Sequence, residues 1–191
     1  MATNMMPVYT AIVVAALAAA SAVYTLTRQQ QAATLKDRQQ AYAAIMGKKH
    51  LRNQVFVSRF EALIFSDYHE RRWKLAGCPE KSLDLEETQR WMHKSEDLAL
   101  EIARTNQSLF ESIGLARATF APSVELTNLT ERIYRFKTPV IAPPPENADQ
   151  AALAAWSTQA VKEIQQLVED EYGKPVDALL DYLQQHMRTK P

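Results

Sequence analysis

The stretch from Val8 to Thr27 constrains this chain most, because it contains no charged residue, no glycine and no proline. At about 1.5 Å per residue a helix of this length spans roughly 30 Å, the thickness of the hydrocarbon core of a bilayer. A core helix of a soluble domain would normally carry a charged face, which this stretch lacks. We therefore predict a single transmembrane helix inside an N-terminal segment comprising residues 1–27.

A cleaved signal peptide is the main alternative, since Ala20-Ser21-Ala22 resembles a small-x-small cleavage site. The residues Met1–Pro7, however, lack the Lys or Arg that a signal peptide normally carries. Tyr9 and Tyr24 lie near the two ends of the stretch, where aromatic rings favour the membrane–water interface. These features favour an uncleaved span.

The charges that follow the stretch predict the orientation of the chain in the membrane. They are mostly basic: Arg28, Lys36, Arg38, Lys48 and Lys49, against a single Asp37. The positive-inside tendency then places the C-terminal body on the cytoplasmic side of a cell (inner) membrane. A single cysteine, Cys78, agrees with this side, because one thiol cannot form an internal disulfide framework.

Small residues recur at a spacing of four within the predicted span, in the pairs Ala15/Ala19 and Ala16/Ala20. Small side chains let helix backbones approach closely inside a bilayer. We therefore predict that this face packs on another transmembrane helix, in a homo-oligomer or with another membrane protein. The alternative is that alanine is present only as a good helix former.

The composition of the remaining chain indicates its fold class and excludes one class of partner. Lys plus Arg and Asp plus Glu both number 22, so the chain lacks the basic excess that nucleic-acid binding requires. Only four glycines occur, and good helix formers such as Ala, Leu, Gln and Glu are abundant. We predict an all-α protein that has the lipid bilayer as a partner and does not bind nucleic acid.

The pattern along the chain divides the body into two parts. Residues 28–50 are polar and unbroken, and predict a helical stalk that packs on the body or on another copy. Residues 51–191 predict an antiparallel four-helix-type bundle, because apolar residues recur at steps of three and four. Leu63 and Leu98 are among the positions expected in its core. A proline-rich linker at 138–147 interrupts the bundle.

Local signals predict where the helices begin and end. Gly77 and Pro79 end the first body helix, and the pattern Asp84-x-x-Glu87 resembles a capping box that opens the next. Ser123 is expected to cap a shorter helix. The sequence Gly173-Lys-Pro175 is expected to kink or split the last helical region.

One cluster of ionisable residues suggests a metal or ligand site. Asp67 and His69 on the first body helix are predicted to face His93 and Glu96 on the next, and facing carboxylates and imidazoles build metal sites in bundles. The alternative is a rim of ion pairs at i,i+4 spacing, such as Glu70 with Lys74. The second interpretation is favoured, because no Glu-x-x-His or His-x-x-x-His pattern occurs.

The sequence predicts assembly rather than catalysis. It contains no glycine-rich phosphate loop and no recognisable order of nucleophile and base, so we expect neither a cofactor nor an enzymatic reaction. The leading hypothesis is a single-pass membrane protein whose helical body binds copies of itself or a partner. The alternative is a sensor or enzyme with a ligand or metal near Asp67 and His93.

Overall fold

The structure is a computed structural model that describes residues 6–135 and 138–187, with side chains described from residue 20 onward. Over these residues the chain is helical and contains no β-strand, which confirms the predicted all-α class. The described elements are α1 (Met6–Leu75), α2 (Leu83–Thr119), α3 (Val124–Tyr134), α4 (Gln150–Val168), a π-helical turn (Glu169–Gly173) and α5 (Lys174–Gln185).

Helix α1 runs without interruption for 70 residues and unites the predicted stalk and the first body helix in one element. It continues through Gly47. The residues Ala41 and Ile45 before this glycine, and Arg52 after it, are buried. Packing of one helix face against the body offsets the roughly 1 kcal/mol that a glycine costs inside a helix.

Helices α1 and α2 form a long antiparallel hairpin that is the frame of the molecule. Its cross-contacts join Arg38 to Thr119, Arg52 to Asn106, Ser66 to Thr88 and His69 to Asp84. Residue numbers therefore fall along α2 as they rise along α1. The two helices are in contact from the predicted stalk to the turn that joins them.

The turn between the two helices ends α1 where the sequence predicted. Gly77 has a φ of 80° and Cys78 a φ of 55°, so both adopt the left-handed conformation that terminates helices. The N–H of Cys78 donates to the carbonyl of Trp73 at 3.1 Å, and the Trp73 indole donates to the carbonyl of Pro79 at 3.0 Å. These bonds satisfy the helix end and the turn together.

The start of α2 differs from the prediction of a capping box on Asp84 and Glu87. Ser82 is the N-cap, and its hydroxyl accepts from the N–H of Asp84 at 3.2 Å. Asp84 lies inside the first turn, where a carboxylate favours the positive end of the helix dipole, and it pairs with His69. The prediction was wrong because Asp and Ser are both good caps, and the pattern alone does not choose between them.

Three other predicted features of the chain are confirmed. Ser123 caps α3, with its hydroxyl 2.9 Å from the N–H of Leu126. The segment Pro139–Pro145 is non-helical, and the indole of Trp156 donates to it at the Ala142 carbonyl. The last helical region is split at the π turn, which ends at Gly173.

Helices α4 and α5 pack on α1 in the opposite direction to it. Contacts join Glu61 to Gln165, Lys49 to Asp177 and Arg38 to Met187. The buried side chains form two clusters. The base core consists of Ala41, Ile45, Leu109, Ile113, Ala116, Phe120, Leu126, Ile133, Val176, Leu179, Leu180, Tyr182 and Leu183. The middle core consists of Val55, Phe56, Phe60, Ile64, Ile102, Ala160, Ile164, Val168 and Tyr172.

The N-terminal end of α1 bears on the predicted membrane span. Within the described part of the chain, no helix combines the length and the apolar character that crossing a bilayer requires. The predicted span therefore receives no support from the structure. Side chains 8–19 of that span, including Ala15, Ala16 and Ala19, lie outside the described residues, while Ala20 is exposed.

Candidate functional site

The N-terminal part of α1 projects beyond the bundle. Every described side chain from residue 20 to residue 33 is exposed, including Val23, Tyr24 and Leu26, which are 64%, 60% and 57% exposed. Hydrogen bonds in this part stay within the helix, as between Arg28 and Tyr24 at 2.9 Å. The same helix becomes part of the base core only at Arg38 and Ala41. A projecting helix that exposes Val23, Tyr24 and Leu26 is the feature of this fold that most needs a further partner.

Arg38 fastens the projecting helix to the base of the bundle. Its Nε donates to the carbonyl of Thr119 at 3.0 Å, and its Nη1 donates to the carbonyl of Met187 at 3.3 Å. Thr119 is the last residue of α2, and Met187 lies just after α5. The guanidinium, stacked on Phe120, thus satisfies free carbonyls where two helix dipoles present their negative ends.

Lys48 and Lys49 form further contacts between α1 and the helices α2 and α5. Lys48 donates to the carbonyl of Ser108 at 2.9 Å and to the hydroxyl of Ser112 at 2.8 Å. Lys49 forms an ion pair with Asp177 at 2.6 Å. The basic run in the sequence therefore holds α2 and α5 against α1, rather than forming a solvated face or a lipid contact.

Arg52 lies in the middle of the hairpin and is 1% exposed. Its Nε donates to the side-chain oxygen of Asn106 at 2.7 Å, and its guanidinium lies over the rings of Phe56 and Tyr172. Burial lowers the pKa of Arg52 to about 10, and burial raises the pKa of Tyr172 to about 12. A charged group is therefore held among aromatic faces between the base core and the middle core.

These two shifts have opposite effects on stability at high pH. The ordinary pKa of tyrosine is 10.0, so between pH 10 and 12 the folded state holds a proton on Tyr172 that the unfolded state has lost, and stability falls. Between pH 10 and 12.5 the unfolded state binds more protons at Arg52, and stability rises.

We expect Tyr172→Phe to remove the loss of stability at high pH that the raised pKa of Tyr172 causes. The variant should gain on the order of 2 kcal/mol relative to the wild type as the pH rises from 9 to 12. Urea unfolding at several pH values, followed by circular dichroism, measures this difference. A difference that stays constant over that range would contradict the assignment.

The four residues predicted to hold a metal lie apart: His69 contacts Asp84, His93 contacts Glu96, and Asp67 belongs to neither pair. His69 Nδ1 lies 2.8 Å from Oδ1 of Asp84, and Nη2 of Arg72 lies 3.6 Å from Oδ2 of the same carboxylate. His93 and Glu96 are exposed neighbours on α2, 3.5 Å apart. Asp67 is exposed, and desolvation followed by the charge of Glu70 raises its pKa.

The favoured interpretation of this cluster as a rim of ion pairs is seen in part. Lys74 pairs with Glu70 at the predicted i,i+4 spacing. Among the described side chains, no three of the types His, Cys, Asp and Glu lie close enough to share a metal ion. The hypothesis of a site at Asp67 and His93 therefore stays a prediction that no observed contact favours.

A groove with several charged residues in its lining lies elsewhere, between α1 and the region of the π turn. Its volume is about 570 Å³, and its charged lining includes Lys49, Glu169 and Asp177. The side-chain oxygen of Asn53, which also lines the groove, is buried and accepts no hydrogen bond from the described residues. Asp67 and His93 are not part of this groove, so it is not the site that the sequence suggested.

The sequence contained one signal for the buried basic residues. Arg38, Ile45, Arg52, Arg59 and Ser66 recur every seven residues, in phase with the apolar positions of the hairpin seam. A basic residue that keeps this phase is placed in the seam rather than on the outside.

Comparison of the chain with protein-family models, with curated proteins and with solved structures gives no match.

Proposed function

We propose that this chain is a single-pass membrane protein of the cell (inner) membrane that acts as a non-enzymatic assembly component. Its N-terminal span would hold it in the bilayer, and its cytoplasmic bundle would bind further copies or another membrane protein. The observation that carries the proposal is the projection of α1. Its exposed residues 20–33 include the end of the apolar stretch that begins at Val8.

Two physical arguments support this proposal. An isolated helix in water is marginal, so a projecting helix with exposed Val23, Tyr24 and Leu26 needs lipid or protein around it. The span itself is rich in alanine, which is only weakly apolar, and small faces such as Ala16 and Ala20 favour contact between helices in the bilayer.

A charge placed in the centre of the span tests the membrane anchor. We expect the wild type to stay in the membrane pellet after alkaline carbonate extraction. Leu17→Arg should move a large fraction to the supernatant, because Arg costs about 3 kcal/mol at the centre of a membrane helix. Leu26→Arg is the matched control and should stay in the pellet, since an Arg near a helix end reaches the interface. A wild type released by carbonate would refute the anchor.

A second arm of the same experiment tests assembly. In gently solubilised membranes, the wild type should run as an oligomer or with a copurifying protein. The double variant Ala16→Leu with Ala20→Leu should weaken that association while the circular dichroism of the bundle stays unchanged. A wild type that runs as a monomer without a partner would leave a monomeric anchored protein in place of the proposed assembly component.

A further inference from the structure

The outer face of α2 carries a regular column of charges. Residues Ser95, Ile102, Leu109 and Ala116 face the hairpin seam at a spacing of seven, and they are buried. Each seam residue is followed, two positions further along α2, by an exposed position. The exposed charge column runs along these positions and consists of Arg90, Asp97, Arg104 and Glu111. Two residues correspond to about 200° around a helix, so the charge column points away from the buried seam residues, and Asp97 and Arg104 border a groove between α2 and α1.

The charge column alternates in sign and is therefore complementary to itself. If a second α2 runs antiparallel, with the midpoint of both helices between Leu100 and Glu101, Asp97 faces Arg104 of the second copy. In the same register Arg90 faces Glu111 of the second copy. Each contact occurs twice, so four pairs of opposite charge form. A parallel pairing in register would instead bring Asp97 beside Asp97 and Arg104 beside Arg104, which is unfavourable.

The centre of the column has the features of a contact surface. Leu100 lies beside the midpoint and is 65% exposed, and Leu51 of α1 nearby is 48% exposed. Both line a groove of about 550 Å³ between the hairpin helices, together with Asp97 and Arg104. Asp97 and Arg104 form no ion pair with another described residue, so both are available to a partner.

We propose that α2 binds the α2 of a second copy of this chain, antiparallel and centred between Leu100 and Glu101. Exposed ion pairs contribute little affinity each, so the charge column sets the direction and register while burial of Leu100 adds affinity. The projecting ends of α1 then point away from each other.

Cysteine cross-linking of the full chain in detergent measures the orientation. In a background of Cys78→Ser, one preparation carries His93→Cys and the other Gln107→Cys, both at exposed positions on the same side of the column. Antiparallel pairing in this register brings residue 93 of one copy within one residue of the level of residue 107 of the other. We expect the mixed disulfide to dominate on mild oxidation. Domination by 93–93 and 107–107 disulfides would overturn the proposal.

Charge exchange tests the column itself with the same readout. Asp97→Arg in both preparations should lower the yield of the mixed disulfide at least tenfold, because Arg then faces Arg. With Asp97→Arg in one preparation and Arg104→Asp in the other, every pair is again of opposite charge, and the yield should return. Glu163→Arg, on the exposed face of α4, is the control and should change nothing.

The outcomes of the exchange separate this interface from contacts made by the anchor. An unchanged yield with Asp97→Arg in both preparations would overturn the proposal, as would failure of the exchanged mixture to recover. Circular dichroism of each variant establishes that the bundle is folded. Loss of the membrane anchor in the carbonate experiment would leave these results unaffected, because the α2 pairing does not depend on it.

Discussion

Asn106→Ala is expected to lower the free energy of unfolding by about 2–4 kcal/mol, one of the two largest effects predicted for a single substitution. The Asn106 side-chain oxygen accepts from Nε of Arg52 at 2.7 Å inside the hairpin. Its removal leaves a buried guanidinium without that acceptor, and the desolvation cost of the charge is then less well compensated. Urea unfolding of the full chain in detergent, followed by circular dichroism, measures the loss.

The matched control removes the charge together with its acceptor. Arg52→Met with Asn106→Leu should be much less destabilising than Asn106→Ala alone, because an apolar pair of similar size needs no hydrogen bond. A double variant as unstable as Asn106→Ala would mean that packing around Phe56 and Tyr172, rather than the buried charge, determines the cost. The single variants Arg52→Met and Asn106→Leu complete the cycle and give the coupling between the two side chains.

Ile64→Ala and Leu109→Ala are each expected to cost about 2–5 kcal/mol, since both side chains are fully buried. They test the two cores separately, because Ile64 belongs to the middle core and Leu109 to the base core. Thermal unfolding of the two variants should also show whether the cores melt together. Two separate transitions in either variant would indicate that α1 does not couple them.

Leu63 and Leu98 provide the controls for this experiment, although the sequence predicted both as core positions. Each is only partly buried against the middle core, so Leu63→Ala and Leu98→Ala should cost clearly less than Ile64→Ala. The apolar period identifies a face of a helix, but it does not say which member of that face points at the neighbour. Equal losses at Leu63 and Ile64 would contradict the burial of this face.

Local chemistry made the helix ends predictable. Gly77 ends α1 in a left-handed turn and Ser123 caps α3, because both depend on residues close in sequence. Composition did not predict that α1 is one continuous helix. Its residues 28–46 are polar, and the pattern predicted a stalk that packs on the body or on another copy without choosing between the two. Ala41 and Ile45 are nevertheless buried, since α2 and α5 supply the apolar surface that the stalk itself lacks.

The buried arginines were missed for a related reason. Arg38 was assigned by residue type to the basic excess that sets membrane orientation, and Arg52 was not singled out. Their positions depend on acceptors far away in the sequence, such as the carbonyl of Thr119 and the side chain of Asn106. Long side chains of this kind are satisfied by tertiary contacts, which a local pattern does not contain.

The bond between Arg38 and the carbonyl of Met187 spans 149 residues, and this separation affects how the protein is made. During synthesis α1 is complete long before α5 leaves the ribosome, since chains grow at about 5–20 residues per second. The bond from Nη1 of Arg38 can therefore form only after Met187 has emerged, although Nε of the same side chain can already reach the carbonyl of Thr119. Closure of the base is thus a late event of biogenesis, and a nascent chain stalled before Met187 would expose the surface that α5 finally covers.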